Sequence, residues 1–320
     1  MSGGAIIVRP ATDVGEALDA LDQAAAGFAA ASKSAATRRA YAADWRDFTG
    51  WGVEQDVDTL PAAGRTVGRY LTHLARLGRS VSTIDRRAAA IAAVHRAAGH
   101  TSPTAFEEVR SILTGIRNTL GRRPEKKQAL TADLLAKVIK KIRGDDLASV
   151  RDRALILVCF GAALRRSELV ALDVSDLERH RRGLLVRIGK SKTDQQGFGR
   201  SVAILDGKLK IPAAVSAWLD ASGITEGAVF RGADRGRLSP DRLTAGQFAR
   251  ILKSRCAAAG LDPDAFSGHS PRRGFATTAG DDGADLRLTA KHMRHAKLET
   301  TLGYIEDGEL FRENAGKGFL

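Results

Sequence analysis

The sequence predicts a mainly α fold with a small β-hairpin, an α+β chain in two domains. Three observations carry this. Apolar residues recur at helical spacing along most of the chain, and two short β-type runs flank a Gly189–Gly199 turn region. A segment with Gly, Pro and clustered basic residues, GRRPEKKQ at 121–128, separates a purely helical part from a mixed one. The 320 residues are enough for two cores, and a hydrophobic content of 43% can fill them.

In chain order, residues 14–32 align Leu18, Leu21, Ala25 and Phe28 on one stripe, and residues 35–52 align Tyr41, Trp45 and Phe48. After a break at Asp58 to Gly64, residues 66–77 place Val67, Tyr70, Leu71 and Leu74 together, ending at Gly78. Ser82 is the expected N-cap of a helix over 83–98, and Phe106, Val109, Leu113 and Ile116 mark one over 104–120. These form domain one, residues 1–121, followed by a basic linker at 122–129. In domain two, residues 130–320, helices are expected at 131–143, 149–163 and 166–172, and strands at 184–188 and 200–205. Further helices are expected at 212–221, 240–259, 271–280, 285–293 and 298–305. Pro240 after Ser239, and Pro271 after the N-cap candidate Ser270, mark two of the starts.

The formal charge is +13 and favours a polyanionic partner, nucleic acid before an anionic membrane. Residues 28–128 carry 17 basic and 9 acidic side chains, and residues 129–320 carry 32 and 24, so each part has a net of +8. Only residues 1–27 are acidic, at −3. The two cysteines, Cys159 and Cys256, form no disulfide framework or zinc spacing, so a reducing compartment is expected. No apolar run approaches the roughly 18 residues of a membrane span, and a cytoplasmic protein is expected.

Four short segments hold residues suited to an anion. His269 and Arg272 flank a helix start, where free N–H groups and the dipole already favour negative charge. Arg165 ends an apolar run, with Glu168 one turn later. Lys190 and Lys192 sit on the hairpin turn, and His295 precedes Tyr304 by nine residues. Each segment alone equally fits a cap, a surface ion pair or an ordinary solvated turn. The acidic Asp281, Asp282 and Asp285 read as a turn rather than a metal site.

Taken together, the segments resemble the tyrosine recombinase (phage integrase) family. Leu164-Arg165-Arg166-Ser167-Glu168-Leu169 matches its first arginine box, HSPRRGFAT at 269–277 its second, and His295 through Thr300-Thr301 to Tyr304 its nucleophile segment. The likeness spans 130–305, and the Gly189-Lys190-Ser191-Lys192-Thr193 hairpin is most similar to Cre-like simple-site members. Arg273 departs from the family, standing where many members have a second histidine. Arg294 departs too, standing where a glycine usually precedes His295. Neither position is expected to be catalytic.

The resemblance implies a two-domain DNA clamp, a helical core-binding (SAM-like) domain followed by a catalytic domain. It implies that Tyr304 attacks a DNA phosphate to form a 3′-phosphotyrosine and that Arg165 and Arg272 clamp the nonbridging oxygens. His295 donates to the same oxygens, Lys192 protonates the leaving 5′-oxygen, His269 assists proton transfer and Glu168 orients the cage. Spacing back from the strand favours Lys190, but the hairpin pattern favours Lys192. No metal, nucleotide or other cofactor is implied. The implied partners are double-stranded DNA and a homo-tetramer on two DNA sites. Helix 14–32 and the tail after Tyr304 supply protomer contacts, and no accessory protein is specified. Candidate DNA contacts are Arg38, Arg39, Arg86 and Arg87 on helices of domain one, and Arg242 near a helix start in domain two. A type IB topoisomerase and a silent DNA-binding regulator are the alternatives.

Overall fold

The computed structural model describes residues 34–121, 127–189, 200–234, 236–295 and 297–303. The expected helix 14–32, Lys190, Lys192, Tyr304 and the tail lie outside the described residues. The chain divides into two compact units, Met1–Pro124 and Glu125–Leu320.

Among the described residues of the first unit, four α-helices enclose one core: α1 (Ala35–Glu54), α2 (Gly64–Arg76), α3 (Val81–Ala97) and α4 (Glu107–Leu120). Phe48, Val67, Tyr70, Leu71, Ile84, Ile91 and Val109 are all fully buried in it. The α2 stripe Val67, Tyr70, Leu71 and Leu74 faces inward, as its i, i+3, i+4, i+7 spacing requires. Ser34 caps α1 by accepting from the Thr37 N–H at 3.2 Å. The cap of α3 is Ser80, not Ser82: the Ser80 hydroxyl accepts from Thr83 N at 3.3 Å, while Ser82 lies inside the first turn.

The second unit is built around α6 (Leu147–Gly161), which follows α5 (Ala132–Lys141) and starts at the Asp146 cap. Its run Ala154 to Gly161 is buried on every face, so neighbours surround it. Then come α7 (Arg166–Ala171) and an antiparallel sheet ordered β1 (Leu177–His180), β2 (Gly183–Ile188), β3 (Arg200–Leu205). Along β3, Val202 and Ile204 turn inward while their neighbours stay exposed. After α8 (Ile211–Ser222) comes a second hairpin, β4 (Arg231–Asp234) with β5 (Arg237–Arg242). Helices α9 (Ala245–Ala258), α10 (Ser270–Asp281), α11 (Leu286–Met293) and α12 (Leu298–Leu302) complete the unit. The fold is mainly α with small antiparallel sheets.

Two helix starts differ from the sequence reading. Pro240 belongs to β5, and α9 begins five residues later. There Thr244 and Gln247 form a capping box, Thr244 N donating to Gln247 Oε1 at 2.7 Å and Gln247 N to Thr244 Oγ1 at 3.2 Å. Proline is tolerated because β5 is one of only two strands in its sheet. Ser270 does not cap α10 either. His269 occupies the cap position, and the Ser270 hydroxyl accepts from Ser267 N at 2.9 Å.

Residues 127–132, partly assigned to the linker, are fastened along α10. Leu130 N donates to Ser270 O at 3.0 Å, Ala132 N donates to Thr278 Oγ1 at 2.9 Å, and Arg273 donates to Lys127 O. Gly274 makes this approach feasible, since a Cβ there would lie 1.7 Å from Leu130 O.

Candidate active site

The site forms where α6 stops. Ala163, just beyond the helix, has φ +46°, which turns the chain back toward α7. The last carbonyls of a helix lack intrahelical partners and carry the negative end of its dipole. Here side chains from α10, α11 and the residue after α11 satisfy three consecutive ones. His292 Nε2 lies 2.9 Å from Gly161 O. Arg294 Nη1 donates to Ala162 O at 3.0 Å. The Ala163 carbonyl accepts from both Arg272 Nη1, at 2.5 Å, and Arg294 Nη2, at 3.1 Å. The second Nη of Arg272 donates to Met293 O at 2.6 Å, and this guanidinium is 1% exposed. Backbone oxygens thus hold the two guanidiniums in fixed orientation.

Arg165 is the N-cap residue of α7, and Glu168 at the third helical position reaches back to it. Glu168 Oε2 accepts from Arg165 N at 2.9 Å, and Oε1 from Arg165 Nη1 at 2.6 Å. Arg294 Nη2 donates to Glu168 Oε2 at 2.9 Å as well. Burial pushes the Glu168 carboxyl up, but the Arg294 charge and the Arg165 hydrogen bonds outweigh it and hold the group below the usual carboxylate range. Glu168 is therefore an anion shared between two arginines.

His295 follows directly. Its N–H donates to Ala290 O at 3.0 Å, and its ring Nδ1 lies 2.8 Å from the hydroxyl of the buried Thr301 on α12. Burial, then the charges of Arg272, Arg165 and Arg294, lower its pKa to about 4. The imidazole is neutral at physiological pH, with the charges of three arginines acting on it. The neighbouring His292 stacks on Phe275 at 4.3 Å, and burial lowers its pKa too.

The fold thus brings Arg165, Glu168, Arg272 and His295 together. His269 is exposed at the start of α10, one turn before Arg272. Tyr304 follows Thr301 by three residues. Arg294 is the residue that sequence reasoning passed over: it is 2% exposed and bonded to Glu168. Its one sequence signal is an arginine where a helix C-terminus favours glycine.

The proposed DNA contacts divide. Arg38 and Arg39 are exposed on the first turn of α1. Arg86 pairs with Asp44 through bonds of 2.8 and 2.9 Å and stays half exposed. Arg87, only 12% exposed, bonds Asp47 and the Tyr70 hydroxyl. Arg242 ends β5 rather than opening a helix. It donates to Val170 O and Leu172 O at 3.0 Å and pairs with Asp173 at 2.6 Å, strapping β5 to the end of α7. The acid Asp285 caps α11, accepting from Arg287 N and Leu288 N. No helix among the described residues is long and apolar enough to cross a membrane.

Residues 128–309 match the phage integrase family, and the chain belongs to that family, the tyrosine recombinases. It is 34% identical over 291 residues to an integrase/recombinase XerD homologue of Selenomonas ruminantium, covering 89% of this chain and 85% of that protein. It is 29% identical over 279 residues to the tyrosine recombinase XerC of Corynebacterium efficiens, covering 85% and 81%. Among solved structures it resembles a λ integrase dimer bound to a COC′ core site, with TM-score 0.61 and 14% identity over 90% of this chain and 94% of that one. The Tn1549 transposon integrase in complex with transposon right end DNA gives 0.59 at 19% identity, over 88% and 94%. At these identities the likeness establishes the fold. The family establishes site-specific recombination as the class of activity.

Proposed function

We propose that the protein cuts and rejoins double-stranded DNA at specific sites through a covalent 3′-phosphotyrosine. The observation that carries this reading is the oriented set Arg165, Arg272 and neutral His295, hydrogen-bonded to Thr301 three residues before Tyr304. In the reaction, the Tyr304 oxygen attacks phosphorus, the P–O5′ bond breaks and the phenolic proton passes to His269. The leaving 5′-oxygen takes a proton from Lys192. Arg165 and Arg272 receive the charge that develops on the nonbridging oxygens, and His295 donates to them. The 5′-hydroxyl of a partner strand then reverses the step, so the phosphotyrosine conserves the bond energy and no nucleotide is consumed.

On this reading the first unit is a core-binding domain and the second the catalytic domain, closing on DNA as a clamp. Arg38 and Arg39 are its exposed basic candidates for phosphate contact. Four protomers would assemble on two sites, in the cytoplasm.

The test is capture of covalent adducts from a genomic fragment library incubated with the protein in EDTA and without ATP, then denatured. Adducts should form, map to a discrete site, and vanish in Tyr304→Phe. Adducts that persist in that variant, or that need added metal, would overturn the mechanism.

A further inference from the structure

Arg294 incurs three separate costs. Its backbone lies at φ +59°, ψ +41°, the left-handed conformation that glycine adopts most easily at a helix end. Its guanidinium is withdrawn from water at 2% exposure. Its Nε–H is buried without a hydrogen-bond partner among the described residues. A glycine would avoid all three. The pairing with Glu168 does not explain the arginine as a stabilising device, because a buried ion pair gains little over its desolvation cost. Local strain of this kind points to function.

The contacts show what the arginine does. One fork ties three parts of the site together: Ala162 O and Ala163 O at the end of α6, His292 O at the end of α11, and Glu168 on α7. Glu168 in turn holds both the N–H and the Nη1 of Arg165. Ala163, the second left-handed non-glycine residue here, presents its carbonyl to Arg294 and Arg272 together. Among the described residues, Glu168 without Arg294 would keep Arg165 alone, and no other side chain would link the Glu168 carboxylate to the carbonyls that orient Arg272.

We propose that Arg294 is a positioning residue for the cleavage step: through Glu168 and the α6 carbonyls it sets Arg165 and Arg272 at one spacing and holds His295 in place. This rests on the recombination reading above. Its charge also bears on His295, together with those of Arg272 and Arg165.

The test compares Arg294→Gly and Arg294→Lys with the unaltered protein in two measurements: adduct formation on a nicked duplex of the captured site, and NMR titration of the His295 ring. In Arg294→Gly, cleavage should slow about 10- to 100-fold, as when supporting residues are removed from other sites. His295 should titrate above its original value of about 4. Arg294→Lys keeps the charge and loses the fork, so it should keep the low His295 titration without regaining the full rate. An unslowed cleavage step or an unmoved His295 in Arg294→Gly overturns the proposal. If the unaltered protein forms no adduct on any DNA, the recombination reading fails and the role in cleavage falls with it; adducts from the unaltered protein together with unslowed cleavage in Arg294→Gly overturn the positioning role alone.

Discussion

At the scale of single residues, acid should act on this protein through His295 before it acts through any carboxylate. A histidine whose folded pKa lies below its unfolded value binds its proton more weakly in the native state. The unfolded chain then takes up protons first, so stability is full above the unfolded value of about 6.5 and falls as pH drops toward the folded value. For His295 that window runs down to about 4, and the buried His292 shifts in the same direction. Glu168 acts in the same direction at lower pH: its folded value is also depressed, so its contribution is complete above the unfolded carboxylate range and is lost as pH falls through that range and below. Chemical denaturation should therefore show stability already declining between pH 6.5 and pH 4, with a smaller decline in His295→Gln. Equal slopes in the two proteins would mean that His295 is solvated and its cationic neighbours do not reach it.

At the scale of elements, what the sequence revealed followed from pattern strength. Strands β2 and β3 and the described helices α1 to α4 of the first unit carry apolar residues at regular spacing, and each formed close to where it was expected. The missed strands are short and polar: β1 is LERH, β4 is RGAD and β5 is RLSPDR. Their pairing is decided by tertiary neighbours, such as the Arg242 strap, which no local pattern announces. The site divides in the same way. Arg165, Glu168, Arg272 and His295 stand out because their spacing is a motif, whereas the carbonyls that orient them are backbone and leave no mark in residue type. Arg294 was visible only as a departure from the family and was discounted, because a left-handed arginine breaks a pattern rather than makes one. Two start signals competed within 240–247, and the capping box prevailed over the proline. Replacing Thr244 by Ala should cost about 1 kcal/mol, within the usual range for a lost N-cap. Replacing Ser239 by Ala should cost much less, and urea midpoints of the two variants check the order.

At the scale of the whole molecule, the two compact units have separate hydrophobic cores, and the second contains all the boxed residues. A fragment Glu125–Leu320 should therefore fold alone and unfold cooperatively. Its start matters, because residues 127–132 are bonded along α10. A fragment beginning at Asp133 loses the Leu130 and Ala132 hydrogen bonds, leaves Arg273 without the Lys127 carbonyl, and exposes the α10 face that Leu130 covers. It should melt well below the longer fragment even though its sequence retains all of α5 but Ala132, the elements from α6 to α12 and every boxed residue. The longer fragment should also bind DNA more weakly than the full chain, with a shallower dependence on salt, because it lacks most of the net charge of +8 on residues 28–128. Melting curves of the two fragments and salt titrations of DNA binding measure both effects. Equal melting temperatures would show that the 127–132 segment is a passive connector. An unchanged salt slope would mean that the first unit's charge does not reach DNA, so that Arg38 and Arg39 face solvent and the clamp reading loses one of its two jaws.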